Sequence, residues 1–266
     1  MSPARSTAED RAYRNFYAVL ALTAAAAKKA DDVAPAQKTR SRSAILDVAR
    51  ADIDRVTVNS GGIGRGRDFM KEMFQKSVRG CDGKTTVVLG DSHLNDSNGQ
   101  PNIGGLRVSW CGIWAVDVWR RSGLDVLWIQ DKGPCKRDGT RIVKKATNPN
   151  DQAALKQVKS GDIITIETVR CSAPLIPVPN GLEESIPKNA NHHALVTSVV
   201  LDGQGAVIGY NVIEANVPQA LNDGTGDLTA IHESYIPVAA SDRGEDAVGN
   251  RYCKRITGHY AARDAA

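Results

Sequence analysis

The sequence predicts an α+β fold, in which several helices are followed by a run of antiparallel strands. Helical spacing of apolar residues recurs in the first half of the chain, and the last such segment begins at Cys111. The second half contains β-branched runs separated by turn residues. The 24 glycines and 11 prolines, against 5% aromatic residues, indicate many turns and argue against a helical bundle.

The N-terminal region predicts one helix over residues 8–30 and a linker that ends at residue 42, so we divide the chain into 1–42 and one domain over 43–266. The apolar run at 16–27 also has the length of a signal peptide. Glu9 and Asp10 lie where such a peptide is basic, which favours an Ala-rich amphipathic helix instead. Later helices are predicted at Ser43–Asp54, Asp68–Ser77 and Cys111–Arg121, the last stopped by Gly123.

Strands are predicted in five segments, and the Gly-rich stretch Ser60–Gly66 is predicted to be a loop rather than a phosphate cradle. A polar insert, Asp131–Pro149, and a Pro-rich insert, Cys171–Asn191, separate some of the strands. The predicted strands are Leu124–Ile129, Asp162–Val169, Ala194–Leu201, Ala206–Asn216 and Tyr252–Tyr260.

Composition excludes several classes of function. The net charge of +4 comes without a basic run interleaved with aromatics, so nucleic acid is not a predicted partner, although the charge suits an anionic polymer such as a cell wall. No apolar stretch reaches the roughly 20 residues of a membrane span.

The five cysteines include no Cys-x-x-Cys pair, so neither a zinc site nor any cofactor is predicted. Either all five are reduced, or Cys111 is the unpaired thiol and the other four form disulfides.

The candidate nucleophile is Cys111, which begins a helical pattern directly after Trp110. A helix N-terminus stabilises a thiolate and lowers the pKa of the thiol, and its backbone N–H groups can bind an oxyanion. The alternative interpretation is that Cys111 packs in the core beside Trp110 and Trp114, because cysteine is among the most commonly buried residues. No Gln or Tyr directly before the cysteine is an evident complementary oxyanion donor, and Gln100 and Asn102 are possible donors.

The candidate general base is His193, which follows His192 at the start of an apolar strand. A turn-rich segment after this strand predicts a β-hairpin. If the turn is centred on Gly203–Gln204, Leu201 pairs with Ala206, and counting back along both strands brings His193 opposite a carboxylate.

That carboxylate is Glu214, and Asn216 lies two residues further on the same strand, hence on the same face. A cysteine nucleophile needs a base to take its proton and a third group to orient that base. Cys111, His193, Glu214 and Asn216 together predict such a site. A β-bulge would shift the register by one residue and remove the pairing.

Four segments follow one another in an order that resembles the CHAP-type amidase/peptidases, which belong with the NlpC/P60 proteins in the papain-like group. The resemblance implies N-terminal helices packed on an antiparallel sheet, with Cys111 as nucleophile at a helix N-terminus and His193 as base. Glu214 and Asn216 would support the histidine or the oxyanion. His192 stands where the family usually has a small residue and is the alternative base, although the strand register favours His193. The segments are Trp110-Cys111-Gly-Ile-Trp-Ala-Val, Gly161-Asp162-Ile-Ile-Thr-Ile, His193-Ala-Leu-Val and Ile213-Glu214-Ala215-Asn216.

The resemblance implies a cysteine peptidase or amidase that cleaves bacterial cell-wall peptidoglycan, at an amide between sugar and peptide or within the peptide. Such a protein would be secreted, or delivered to the periplasm or cell wall without a clear signal peptide, as a phage lysin or an antibacterial toxin. A toxin would have an inhibitor or immunity protein as partner. Two alternatives remain: a papain-like deamidase, protease or acyltransferase acting elsewhere, and a non-catalytic module that binds a glycan or a protein.

Overall fold

The structure, a computed structural model, describes residues 42–80, 83–129, 145–146, 151–170, 192–220, 227–239, 241–245 and 251–262. The predicted helix at 8–30 and the Pro-rich insert Cys171–Asn191 lie outside the described residues. So do the linker up to residue 41 and all but residues 145–146 of the insert Asp131–Pro149.

The predicted α+β class is confirmed, with a large antiparallel sheet and a few helices. The α-helices are α1 (Arg42–Arg50), α2 (Arg67–Ser77), α3 (Cys111–Arg121) and α4 (Gln152–Leu155), with a 3₁₀ turn at Asp91–Leu94. The strands are β1 (Thr57–Asn59), β2 (Gly62–Ile63), β3 (Val78–Arg79), β4 (Asn102–Ile103), β5 (Leu106–Arg107), β6 (Trp128–Ile129), β7 (Lys145–Ala146), β8 (Ile163–Arg170), β9 (His192–Leu201), β10 (Val207–Ala220), β11 (Leu228–Pro237), β12 (Ser241–Glu245) and β13 (Arg251–Tyr260).

The chain forms two compact units. The first contains the described residues between 42 and 129 and those of Ile213–His232, and the second contains those of Lys144–Val212 and Glu233–Ala262. The division therefore falls within β10 and within β11, so each of these strands contributes to both units.

In the first unit, α1 and α2 pack against α3. Every residue of α3 from Cys111 to Trp119 is buried, which is the pattern of a helix at the centre of a core rather than on a surface. Gly123 ends the helix as predicted, with a φ of +92° and an N–H that donates to the Arg120 carbonyl at 2.9 Å.

A buried polar network fixes the sides of α3. Asp117 accepts hydrogen bonds from Ser77 of α2 at 2.5 Å and from the neighbouring Arg121 at 2.7 Å. Arg121 also pairs with Asp52, which accepts the indole N–H of Trp114 at 3.0 Å. Burial lowers the pKa of the Arg121 guanidinium, but these carboxylates outweigh it and raise that pKa overall. Asp117, which interrupts the apolar pattern of α3, therefore joins α3 to α2, and Arg121 extends the network to Asp52.

The Gly-rich stretch is not only a loop, because β1 and β2 form a tight hairpin in which Val58 pairs with Ile63. Gly62 has a φ of +105°, and a Cβ there would approach the Leu94 carbonyl oxygen to 2.3 Å. Glycine is therefore required at this position for both conformation and space. In this unit the strand order is β10-β11-β1-β2.

In the second unit the strand order is β12-β13-β8-β9-β10-β11, of which β10 and β11 contribute only their residues up to Val212 and from Glu233, and β7 also pairs with β13. One face of these strands carries an apolar core that includes Ile164, Ala194, Val212 and Ile256. Tyr210 is buried in the same core and donates its hydroxyl to the Leu155 carbonyl at 2.9 Å.

The Gly161-Asp162 motif has a structural role in the second unit. Gly161 has a φ of +85°, a conformation that favours glycine. The buried Asp162 carboxylate accepts the backbone N–H groups of Lys159 and Ala262, each at 2.8 Å. Asp162 therefore joins the entry of β8 to the segment after β13 and belongs to the scaffold.

The turn between β9 and β10 differs in register from the prediction. The Asp202 N–H donates to the Ala206 carbonyl at 2.9 Å, and the Gly205 N–H donates to the Asp202 carbonyl at 3.1 Å. Gly205 has a φ of +77° and forms a one-residue bulge directly after the turn. The predicted pairing of Leu201 with Ala206 is wrong, because Ala206 pairs with Asp202.

Within the described part of the chain, no helix is long and apolar enough to cross a membrane.

Candidate active site

The thiol of Cys111 lies at the first residue of α3, as predicted, and its side chain is buried. The turn that starts the helix is held by Trp110, whose carbonyl accepts the Trp114 N–H at 2.8 Å and whose indole donates to the Gly99 carbonyl at 2.8 Å. The first N–H groups of any helix have no partner within that helix, so the Cys111 end of α3 carries partial positive charge. Cys111 therefore lies both in the core and at a helix N-terminus, two placements that the sequence presented as alternatives.

A hydroxyl group contacts the cysteine sulfur. Ser109 Oγ lies 3.5 Å from Cys111 Sγ, a distance at which the hydroxyl can donate to a thiolate. Asn216 Nδ2 donates to the same Ser109 Oγ at 3.1 Å. Since the amide occupies an acceptor position of the hydroxyl, the hydroxyl proton is available to the sulfur.

Asn216 reaches Ser109 by leaving the extended conformation of its strand. Its φ is +62°, a left-handed conformation that asparagine tolerates better than most residues. The predicted regular alternation of Glu214 and Asn216 on one face is therefore interrupted at Asn216. Glu214 is nearly buried, at 8% exposure, on the same strand.

A histidine outside the predicted site, His232, lies in the first unit. His232 is on β11, and its Nε2 is 2.9 Å from the carbonyl oxygen of Val217, the residue that follows Asn216. The short strand signal of Leu228–Pro237 was not recognised in the sequence, so neither this strand nor the position of His232 was predicted.

The candidate base lies in the second unit. His193 is 8% exposed, and its ring stacks on that of Tyr260 with centroids 6.2 Å apart and planes 26° apart. Thr165 pairs with His193 across β8 and β9, and its hydroxyl is a buried group with no hydrogen-bond partner among the described residues. The ring is therefore confined on one side by an aromatic residue from β13, which sequence reasoning did not identify.

The register of β8 and β9 places the side chains of His193 and of His192, the alternative base, on opposite faces of the sheet. Ile166 pairs with His192, and Ile166 belongs to the apolar core of the second unit. Because side chains alternate along a strand, His192 lies on the core side of the sheet and His193 on the opposite side.

Of the four predicted site residues, Cys111, Glu214 and Asn216 belong to the first unit and His193 to the second. The structure joins Asn216 to Cys111 through Ser109. The predicted pairing of Glu214 with His193 assumed a turn without a bulge, and Gly205 forms a bulge in that turn. The pairing therefore stays a prediction.

The remaining polar candidates have local structural contacts. Asn102, a candidate oxyanion donor, accepts the Gly105 N–H at 3.1 Å in a turn. His93, which is not among the predicted site residues, likewise accepts the Gly90 N–H through Nδ1 at 2.8 Å in the 3₁₀ turn. Across the described ranges, no group of three or more His, Cys, Asp or Glu side chains is arranged to hold a metal ion.

Comparison with known proteins finds no family model, no curated protein and no solved structure that matches this chain.

Proposed function

We propose that this protein is a cysteine-dependent hydrolase of amide bonds in bacterial cell-wall peptidoglycan. The observation that carries the proposal is the Cys111 sulfur at the start of a buried helix, in contact with a hydroxyl that Asn216 holds. The motif order Cys111, Gly161-Asp162, His193 and Glu214-x-Asn216 supports the same class of enzyme.

The first half of the proposed reaction forms an acyl-enzyme. His193 takes the thiol proton, and the Cys111 thiolate attacks the amide carbonyl carbon to form a C–S bond. The backbone N–H groups at the start of α3 stabilise the oxyanion that develops. The C–N bond then breaks, and the imidazolium of His193 protonates the leaving amine.

The second half releases the acid. His193 takes a proton from water, whose oxygen attacks the thioester carbonyl. The C–S bond then breaks, and the imidazolium of His193 returns the proton to the departing sulfur, which regenerates the thiol and the neutral base. The reaction consumes one water for each amide and requires no cofactor or metal. In this scheme Ser109 stabilises the thiolate by donating its hydroxyl proton, and Asn216 positions Ser109. Glu214 supplies a carboxylate that stabilises the charged imidazole.

Peptidoglycan is the proposed substrate because the motif order is that of wall-cleaving amidases and peptidases, and a net charge of +4 favours approach to an anionic wall. A lysin or a delivered antibacterial toxin fits this activity, and an immunity protein that blocks Cys111 is the partner expected of a toxin.

The direct test incubates purified cell walls with the protein and identifies released products by mass spectrometry. Wild type should release peptides or free amino groups, and Cys111→Ala should release none. Asp125→Ala, a change at an exposed residue of the first unit, is the matched control and should retain activity. Circular dichroism and thermal unfolding show whether each variant keeps its fold.

Equal product release by Cys111→Ala and wild type would contradict any role of the thiol. Intact walls, together with Cys111-dependent cleavage of a protein or ester substrate, would replace the wall as substrate and keep the chemistry. Intact walls and an unreactive Cys111 would indicate a non-catalytic binding module.

A further inference from the structure

The second unit contains an open cleft that none of the proposed catalytic residues lines. Its volume is about 470 Å³, within the range of roughly 300–1,000 Å³ that small-molecule sites occupy. The lining comes from three strands, β9, β10 and β11, and most of its side chains are polar. The residues are Thr197, Ser198, Asn211, Val212, Glu233 and Ser234.

The polar groups of the cleft are suited to a ligand with many hydroxyl groups. Asn211 Nδ2 donates to Ser198 Oγ at 2.9 Å, which fixes the amide across two strands. A carboxamide has two donors and an acceptor, so this one bond leaves capacity for a ligand. Glu233 adds a carboxylate that accepts hydrogen bonds, and the serine and threonine hydroxyls both donate and accept.

An exposed aromatic ring continues the same surface. Tyr235 is 48% exposed, and its hydroxyl donates to the Ile208 carbonyl at 3.1 Å. Its ring lies over Gly209, where an added Cβ would come within 2.4 Å of ring carbons. Tyr235 and Glu233 are both exposed and separated by one less exposed residue, so they share one face of β11.

We propose that this cleft binds a saccharide, with Glu233 and Asn211 bonding to sugar hydroxyls and Tyr235 stacking on a sugar ring. The ring of Tyr235 is held in place by the hydrogen bond to the Ile208 carbonyl and by packing on Gly209, which has no side chain. A ring that is already fixed loses less conformational entropy when a ligand binds. A cationic peptide is the competing ligand, because a carboxylate beside an aromatic ring also attracts an ammonium group. The saccharide is favoured because, among the described residues that line the cleft, Glu233 is the only charged one and the other polar groups are neutral.

This inference does not depend on amide hydrolysis. Cys111→Ala removes the proposed reaction and leaves every cleft residue in place, so failure of one proposal is distinguishable from failure of the other.

The test measures binding of three soluble probes to the full chain by calorimetry: chitotetraose, cellotetraose and tetralysine. We expect at least one saccharide to bind wild type and Cys111→Ala equally. Tyr235→Ala and Asn211→Ala should each weaken that binding by about tenfold, whereas Tyr235→Phe keeps the ring over Gly209, loses only the bond to the Ile208 carbonyl and should weaken binding less than Tyr235→Ala does. Leu201→Ala, at an exposed apolar residue of β9 outside the cleft lining, is the matched control and should bind as wild type does.

Three results would overturn the proposal. They are the absence of binding by both saccharides, saccharide binding that survives Tyr235→Ala and Asn211→Ala in folded protein, and binding of tetralysine alone. Thermal unfolding of each variant shows that a loss of affinity does not reflect a loss of fold.

Discussion

The side-chain amide of Asn216 donates a hydrogen bond to the hydroxyl of Ser109 at 3.1 Å across a separation of 107 residues. Ser109 is also the group that contacts the Cys111 sulfur, at 3.5 Å. A residue in a left-handed conformation on β10 is therefore bonded to the hydroxyl that contacts the thiol.

Two substitutions separate the backbone role of Asn216 from the role of its amide. Asn216→Gly keeps the left-handed φ without strain but removes the amide, whereas Asn216→Ala removes the amide and adds about 1 kcal/mol of backbone strain. We expect both to reduce the alkylation rate of Cys111, and the alanine variant to lose more stability in urea unfolding than the glycine variant, because both lose the hydrogen bond to Ser109 but only alanine is strained. Equal alkylation rates in the glycine variant and wild type would show that the amide does not act on the thiol.

Removal of Asp117 should destabilise the first unit. Asp117→Ala breaks the contacts to Ser77 and Arg121 and should cost about 3 kcal/mol of unfolding free energy, near the low end for breaking a buried ion pair. The low end applies because Arg121 is 26% exposed and can be partly rehydrated. Glu72→Ala, which breaks an exposed pair with Lys76, should change that free energy by less than about 0.5 kcal/mol. Similar losses in the two variants, measured by denaturant unfolding, would contradict a structural role for the network.

Tyr210 should make the free energy of unfolding depend on pH in the alkaline range. Burial raises the pKa of its phenol above the ordinary value, and the nearby Asp162 raises it further. In the folded protein the phenol stays neutral at pH values where it ionises in the unfolded chain. Its contribution to the free energy of unfolding is therefore complete below about pH 10 and is lost as the pH rises above that value. Tyr210→Phe should reduce the slope of unfolding free energy against pH above 10. An unchanged slope would exclude Tyr210 as its source.

The bulge between β9 and β10 is tested by two glycines of one turn. Gly205 and Gly203 both have open space where a Cβ would be added, but only Gly205 has a left-handed φ, at +77°. Gly205→Ala should therefore destabilise the protein by about 1 kcal/mol, whereas Gly203→Ala should be neutral or slightly stabilising. Thermal and urea unfolding measure both. Equal effects would mean that the turn does not have this conformation.

The sequence predicted the elements that local patterns determine. The helix from Cys111 to Arg121 and its stop at Gly123 are confirmed because apolar spacing and a left-handed glycine act over a few residues. The strand cores after Gly161 are confirmed for the same reason, with boundaries that coincide or differ by up to four residues.

The features that were missed depend on single-residue conformations and distant partners. One left-handed glycine, Gly205, shifts the register of the hairpin, and composition alone does not reveal it. Asn216 leaves the extended conformation, and its contact with Ser109 joins residues that no local pattern connects. The stacking of Tyr260 on His193 likewise requires the pairing of β13 with β8.

The central claim is that His193 activates Cys111, and the alkylation rate of that thiol near neutral pH tests it most directly. Iodoacetamide labelling followed by peptide mass spectrometry gives the rate for Cys111 alone. We predict that His193→Ala slows labelling by about tenfold or more, because the thiol loses the base that takes its proton. His192→Ala should change the rate less than about twofold. A folded His193→Ala protein that is labelled as fast as wild type would contradict the account.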